Sequence, residues 1–351
     1  MAIDNPYYSA TVHGEFQLAD VGDLVLEEGA TLRGCQLAYQ TLGELNAAKD
    51  NAVLVTSWYS GNHSVMRDTY VGAGRALDPA GHFIILVNQI GSGLGTSPHS
   101  LEGAYGQGRF PRVRIGDDVV AQERLLREVL GVERLALVFG GSMGAQQTYE
   151  WAVRFPDKVQ RAAALAGTAR NNEHCRIYNQ TLMDALRSDP GFADGWYAAS
   201  ADVRGGLQRH AGLFALYVLS NRFWMQEAWR PLGFSSAQDF RTGFLEAYFG
   251  PMDAGDLLCQ AWKWQHGDVS RHTGGDLAAA LGRITAKTFV MPISTDQFFP
   301  VEDCAAEQEL IKGSELRVID DLHGHAALFG LSPSYGPQID AALSELLASP
   351  V

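Results

Sequence analysis

The stretch Leu135-Ala136-Leu137-Val138-Phe139 runs directly into Gly140-Gly141-Ser142-Met143-Gly144 and on into Ala145-Gln146-Gln147-Thr148-Tyr149-Glu150-Trp151-Ala152. An apolar run, a G-x-S-x-G turn and a helical pattern in this order predict a strand, a sharp turn and a helix, with the serine hydroxyl lifted clear of a sheet. Glycines at 140 and 144 have no Cβ, which lets strand and helix approach closely around a strained serine. The turn also sets Ser142 at a helix N-terminus, where the Met143 N–H can face a developing oxyanion. A phosphate-binding loop is the competing reading of a glycine-rich turn. It would need a GK[ST] ending, or G-x-G-x-x-G with an acidic partner, and the stretch has neither.

Outward from this turn, short apolar runs at Ala52–Ser57, Phe83–Asn88, Ala162–Ala166, Thr288–Ile293 and Leu316–Ile319 read as further buried strands. Helical patterns fall between them at Asp117–Leu130, Gly144–Phe155, Val301–Ile311 and Gln338–Leu347. Strands that alternate with helices predict an α/β fold, with a mostly parallel central sheet covered on both faces. From about residue 170 to 283 the rhythm stops. That interval is helical in pattern and rich in aromatics (among them Trp196, Phe214, Trp224 and Trp264), and it offers no good strand. It reads as an inserted helical cap, or lid, over a core made of residues 1–169 and 284–351. Most of its aromatics are expected to form its own core, and a few to line a pocket wall.

Acidic residues number 40 against 27 basic, giving a net charge of −13, and no basic run interrupts that balance. This argues against nucleic-acid and anionic-membrane partners. The first ten residues lack the charged and apolar regions of a signal peptide, and no stretch approaches the ~18 apolar residues of a spanning helix. The expectation is a cytoplasmic protein. Cys35, Cys175, Cys259 and Cys304 have no C-x-x-C spacing, so neither a structural zinc site nor a disulfide framework is expected.

A serine hydroxyl is a poor nucleophile until a histidine takes its proton and a carboxylate fixes that histidine's tautomer. With this kind of turn the chain order is Ser, Asp/Glu, His. Asp296 follows the strand Thr288–Ile293, although an N-cap or turn aspartate is common at such a place. His325 lies just past the last strand in Asp320-Asp321-Leu322-His323-Gly324-His325-Ala326, and His323 is its close competitor. The His-x-His pair could hold a metal, but no third ligand stands at matching spacing, so no metal is expected. The remaining histidines, including His63, His99 and His210, read as surface or packing residues. The loop after the early strand, Ser57-Trp58-Tyr59-Ser60-Gly61-Asn62-His63, should supply the second oxyanion donor, with the Tyr59 N–H the choice.

Longer patterns make the chain recognisable. Gly103-Ala104-Tyr105-Gly106, Arg109-Phe110-Pro111-Arg112-Val113-Arg114-Ile115, Asp117-Asp118-Val119-Val120-Ala121-Gln122, the Ser142 turn, Asp189-Pro190, Asp296 and Gly324-His325 together resemble the homoserine O-acetyltransferase family from about residue 51 to the C-terminus. The resemblance implies an α/β-hydrolase fold with a helical cap, acyl transfer through an acyl-serine, and a homodimer formed through caps. It puts Ser142, Asp296 and His325 at the triad positions, and Met143 and Tyr59 at the oxyanion hole. The family's first cap helix carries an arginine that clamps the carboxylate of the amino-acid acceptor, within an F-N-E-x-x-R pattern. Here the run is Tyr178-Asn179-Gln180-Thr181-Leu182-Met183, so Met183 stands in its place; Ala326 stands where an acidic residue commonly follows the histidine.

Charge-assisted hydrogen bonds are worth about 1.5–3 kcal/mol each, and methionine supplies none. The expected activity is therefore an esterase that needs no cofactor and acts on a short or medium acyl ester, with Trp58 and Met183 lining an apolar pocket. The alternative is an acyl-CoA-dependent O-acyltransferase with an acceptor other than homoserine. A non-catalytic binding protein on the same fold is the third reading, weakened by the presence of all three triad residues.

Overall fold

The computed structural model describes residues 2–350. Ten strands occur in it: β1 (Gln17–Asp20), β2 (Leu24–Val25), β3 (Thr31–Leu32), β4 (Gln36–Leu42), β5 (Ala52–Thr56), β6 (Phe83–Val87), β7 (Leu137–Gly141), β8 (Arg161–Leu165), β9 (Lys287–Met291) and β10 (Glu315–Leu316). Eight form one sheet in the order β1-β4-β6-β5-β7-β8-β9-β10, while β2 and β3 pair separately. Within the eight-stranded sheet the β1–β4 and β4–β6 pairs are antiparallel and all the others parallel, and β2–β3 is antiparallel. The expected mostly parallel sheet is present, extended by two strands that the apolar runs do not mark. Strand β1 shows only Ala19 to the interior, and β4 is interrupted by Gln36, Gln40 and Thr41, so neither forms a continuous apolar run.

Strand β5 is buried throughout and alternates strictly between two cores. Leu54, with Ile85 and Val87 of β6, faces a layer containing the helices Ile115–Arg124 and Met143–Arg154. Val53 and Val55, with Ile84 and Leu86, face the helices His63–Tyr70 and Tyr335–Ala348. Coverage on both faces is what makes such strands apolar at every position rather than every second one. The order reverses at β5, since β6 lies on one side of it and β7 on the other. The loops leaving the C-terminal ends of β5 and β7 therefore part in opposite directions and open a crevice, the usual place for a ligand in an open α/β sheet.

Between β8 and β9 the described residues form helices and turns but no strand. The longest helices are Glu173–Arg187, Arg204–Val218 and Ala254–Gln265, and the first packs against both of the others. No helix among the described residues is long and apolar enough to cross a membrane. The four cysteines are free.

A fully buried ion pair ties this helical segment to the sheet layers. The Lys263 ammonium lies 2.5 Å from Asp118 and also donates to the Ile90 carbonyl at 2.8 Å. Removing one charge of such a pair strands the other in a low-dielectric interior, whereas replacing both by apolar groups avoids that cost. Lys263→Met is expected to lower the unfolding free energy by about 3–5 kcal/mol in urea titration, and adding Asp118→Leu to recover most of the loss.

Candidate active site

The residue directly after β7 has an unusual backbone: Ser142 has φ +57° and ψ −122°. Non-glycine residues in this region are strained by about 1–3 kcal/mol and persist only where their surroundings over-determine them. The surroundings here are specific. The Ser142 N–H donates to the Leu165 carbonyl of β8 at 2.9 Å, and its own carbonyl accepts from Ala145 at 2.9 Å and Gln146 at 3.2 Å, which starts the helix Met143–Arg154. A Cβ on Gly140 would stand 2.5 Å from the Gly144 backbone, and one on Gly144 2.6 Å from the Thr56 carbonyl. These two glycines let β5, β7 and the helix converge on one point, with the Ser142 side chain on the crevice side.

Asp296 lies just beyond β9. One carboxylate oxygen accepts from the Phe298 and Phe299 N–H groups at 2.8 and 3.2 Å, which fixes the carboxylate's direction. The other oxygen lies 2.6 Å from His325 Nδ1, and His325 Nε2 lies 2.9 Å from Ser142 Oγ. With Asp296 ionised, Nδ1 carries the proton and Nε2 is left to accept from the serine hydroxyl. The phenyl rings of Phe298 and Phe299 flank the imidazole. His323 does not compete, because its Nδ1 is 2.7 Å from Asp321 and its ring packs against Phe223.

The Met143 N–H is the first of a helix and has no intrahelical acceptor. Tyr59 lies on the loop that leaves β5, and both Trp58 and Tyr59 border the cavity at Ser142. That cavity is narrow, with a volume of about 10 Å³, room for little more than one water molecule. Besides Ser142 and His325, its walls are almost wholly apolar: Trp58, Phe214, Val218, Trp264, Leu328 and Phe329 contribute to them. Met183 is not among the lining residues. It is buried in the helix Glu173–Arg187, and Phe214, Val218 and Trp264, from two other helices of the same segment, take the pocket wall instead. Nothing in their spacing separates these three from the many aromatic and apolar residues around them.

His210, read from the sequence as a surface or packing residue, is wholly buried and lies 3.2 Å from the Tyr59 hydroxyl through Nε2. His63 and His99 are buried as well, the latter paired with Asp256 at 2.6 Å.

The sequence matches the α/β-hydrolase fold model over residues 56–330. The chain belongs to the α/β-hydrolase fold family. It is 54% identical over 346 residues to ethyl acetate hydrolase of Pseudomonas veronii, covering 99% of each chain. An acetylester hydrolase structure from Corynebacterium glutamicum superposes with a TM-score of 0.98 at 56% identity, covering 99% of this chain and 100% of that one. Homoserine O-acetyltransferase of Leifsonia xyli is 34% identical over 329 residues, covering 85% of this chain and 80% of that protein. The resemblance seen in the motifs thus extends over most of the chain, and the esterases share more of its sequence than this acetyltransferase does.

Burial pushes the His210 imidazole down to about 4. A histidine whose folded pKa is depressed stabilises the fold fully above its unfolded value near 6.5, and that contribution is lost as the pH falls toward 4. His210→Gln removes this titration. Its unfolding free energy between pH 6.5 and 4.5 should fall less steeply than that of the parent protein, by up to ~1.4 kcal/mol per pH unit; parallel slopes in denaturant titrations at several pH values would count against a neutral buried imidazole.

Proposed function

We propose that Ser142 is the nucleophile of a carboxylic-ester hydrolase, with His325 as general base and then acid, Asp296 as its orienting carboxylate, and the Met143 and Tyr59 N–H groups as the oxyanion hole. The observation that carries this reading is the unbroken hydrogen-bonded series Asp296, His325, Ser142 at the edge of a small apolar cavity. In the first half-reaction Ser142 Oγ bonds to the ester carbonyl carbon while its proton passes to His325 Nε2. The carbonyl oxygen becomes an oxyanion between the two N–H groups. When the tetrahedral species collapses, the bond to the alcohol oxygen breaks and that oxygen takes the proton from Nε2. In the second half-reaction a water attacks the acyl-serine, gives its proton to Nε2, and the acid departs as Ser142 recovers its hydrogen.

Asp296 keeps the imidazole in the tautomer with Nε2 free and stabilises the imidazolium formed in each half. So narrow and apolar a cavity suits a short acyl chain and a small alcohol rather than a long one, in keeping with relatives named for ethyl acetate and acetylester hydrolysis. Among the described residues no lysine or arginine lines it to hold an acceptor's carboxylate, which favours water over homoserine in the second half-reaction. Acyl-CoA as donor and an alcohol as acceptor remain the alternative, supported by the acetyltransferase relative. The same reading carries a cytoplasmic protein and a homodimer built through the helical cap, where Ile177, Leu216 and Met225 stand exposed.

Ser142→Ala should lower kcat for p-nitrophenyl acetate by ~10⁴-fold or more with the fold intact by circular dichroism. An unchanged rate would refute the mechanism. The parent enzyme should release free acid from ethyl acetate whether or not CoA and alcohols are added, and a product ester formed in preference to acid would establish the acyltransferase instead. p-Nitrophenyl octanoate should show a kcat/KM at least ~10-fold below that of the acetate, because its chain exceeds the cavity.

A further inference from the structure

The N–H of Tyr59 shares one planar, trans peptide unit with the carbonyl of Trp58, so the two point in opposite directions. Whatever grips the Trp58 oxygen therefore aims the Tyr59 N–H. Gln89 provides the shorter grip, beside a longer one from the Gly61 N–H at 3.3 Å. It stands two positions beyond the end of β6, the strand beside β5, and its buried side-chain amide donates to the Ser57 carbonyl at 3.0 Å and to the Trp58 carbonyl at 3.1 Å. An amide nitrogen has two hydrogens, one for each acceptor. Turned over, the amide would present its oxygen to two carbonyl oxygens, so the network fixes its orientation.

A second amide supports the first. Gln147, on the second turn of the helix that follows Ser142, donates to the Ser57 carbonyl at 2.9 Å, and its own oxygen accepts from Gln122 at 2.6 Å. The Gln122 oxygen in turn accepts from the Trp151 indole at 2.7 Å. The loop is held at its far end too, where the Tyr248 hydroxyl donates to the Ser60 carbonyl at 2.9 Å. A peptide unit in a loop can rotate about its two flanking bonds, and a rotated 58–59 unit would put a carbonyl oxygen where the oxyanion must form. The Gln89 amide opposes that rotation.

We propose that Gln89 is a positioning residue for ester hydrolysis, holding the Trp58–Tyr59 peptide so that the Tyr59 N–H meets the oxyanion. This rests on the assignment of Ser142 and Tyr59 made under the proposed function. A group that acts only through the oxyanion stabilises the transition state and not the bound ester, so its loss lowers kcat and leaves KM nearly unchanged.

The test compares Gln89→Leu, Gln89→Met and Ser142→Ala with the parent enzyme. Deleting an oxyanion donor outright costs about 10²–10³ in kcat, and a donor left in place but free to turn should cost ~10–100-fold. The Gln89 variants are expected to show that fall with KM within about threefold. A trifluoromethyl ketone reports on the same geometry: Ser142 Oγ bonds to its carbonyl carbon, the hydroxyl proton passes to His325 Nε2, and the ketone oxygen becomes the oxyanion. It should bind the Gln89 variants more weakly by the factor lost in kcat, while the corresponding amide, which stays trigonal, binds as before. A kcat within about twofold of the parent, an equal weakening of ketone and amide, or failure of both Gln89 variants to fold would overturn the proposal. If Ser142→Ala keeps its activity, the nucleophile assignment falls whatever the Gln89 variants do. If it is inactive while the Gln89 variants run at the parental rate, only the role of Gln89 falls.

Discussion

The whole site depends on one backbone constraint: at the end of β7 the chain must turn through a conformation that Ser142 would not adopt alone. Holding it there requires a neighbouring strand to accept its N–H, a helix to begin immediately after it, and two glycines where any side chain would strike backbone. Given that turn, the hydroxyl stands at the crevice formed where the strand order reverses. A hydrogen bond between residues 183 positions apart in sequence then becomes a local event. His325 and Asp296 come from connections at one end of the same sheet, so their mutual geometry is inherited from strand pairing rather than built separately.

Around that constraint, buried polar groups fix directions and apolar groups fix volume. Gln89, Gln147, Gln122 and Trp151 form a chain of amide and indole contacts under the loop after β5. Above it, His210, Phe214 and Trp264 of the helical segment close on Tyr59. Removing water from such a site would strengthen every dipole aimed at the proposed oxyanion. The buried Lys263–Asp118 pair serves the same end from a distance, since it locks the helix that carries Trp264 against the sheet layers.

How much of this was legible in the sequence depended on the kind of signal. Parallel strands buried on both faces, such as Ala52–Thr56 and Phe83–Val87, announce themselves as apolar runs. The antiparallel strands Gln17–Asp20 and Gln36–Leu42 do not, because their solvent-facing and polar positions break the run. The convergence of Ser142, Asp296 and His325 into one hydrogen-bonded series was legible because a G-x-S-x-G turn calls for a fixed chain order of partners. Gln89 and His210 carry no such mark: a glutamine after a strand and a histidine within a helix acquire meaning only from the partners that tertiary structure brings to them. The helix Glu173–Arg187 shows the opposite failure. Alignment with an arginine position placed Met183 at the pocket, but the helix buries that side chain and the wall is drawn from its neighbours.

The claim that most needs a direct measurement is that the acyl group passes through the hydroxyl at the end of β7. Rapid acid quench of the enzyme with ethyl acetate in excess, followed by intact-protein and peptide mass spectrometry, should find one acetyl group on Ser142 during turnover. That adduct should be absent once the ester is exhausted. Steady acid release with no acylated species, or with the acetyl group on another residue, would contradict the account.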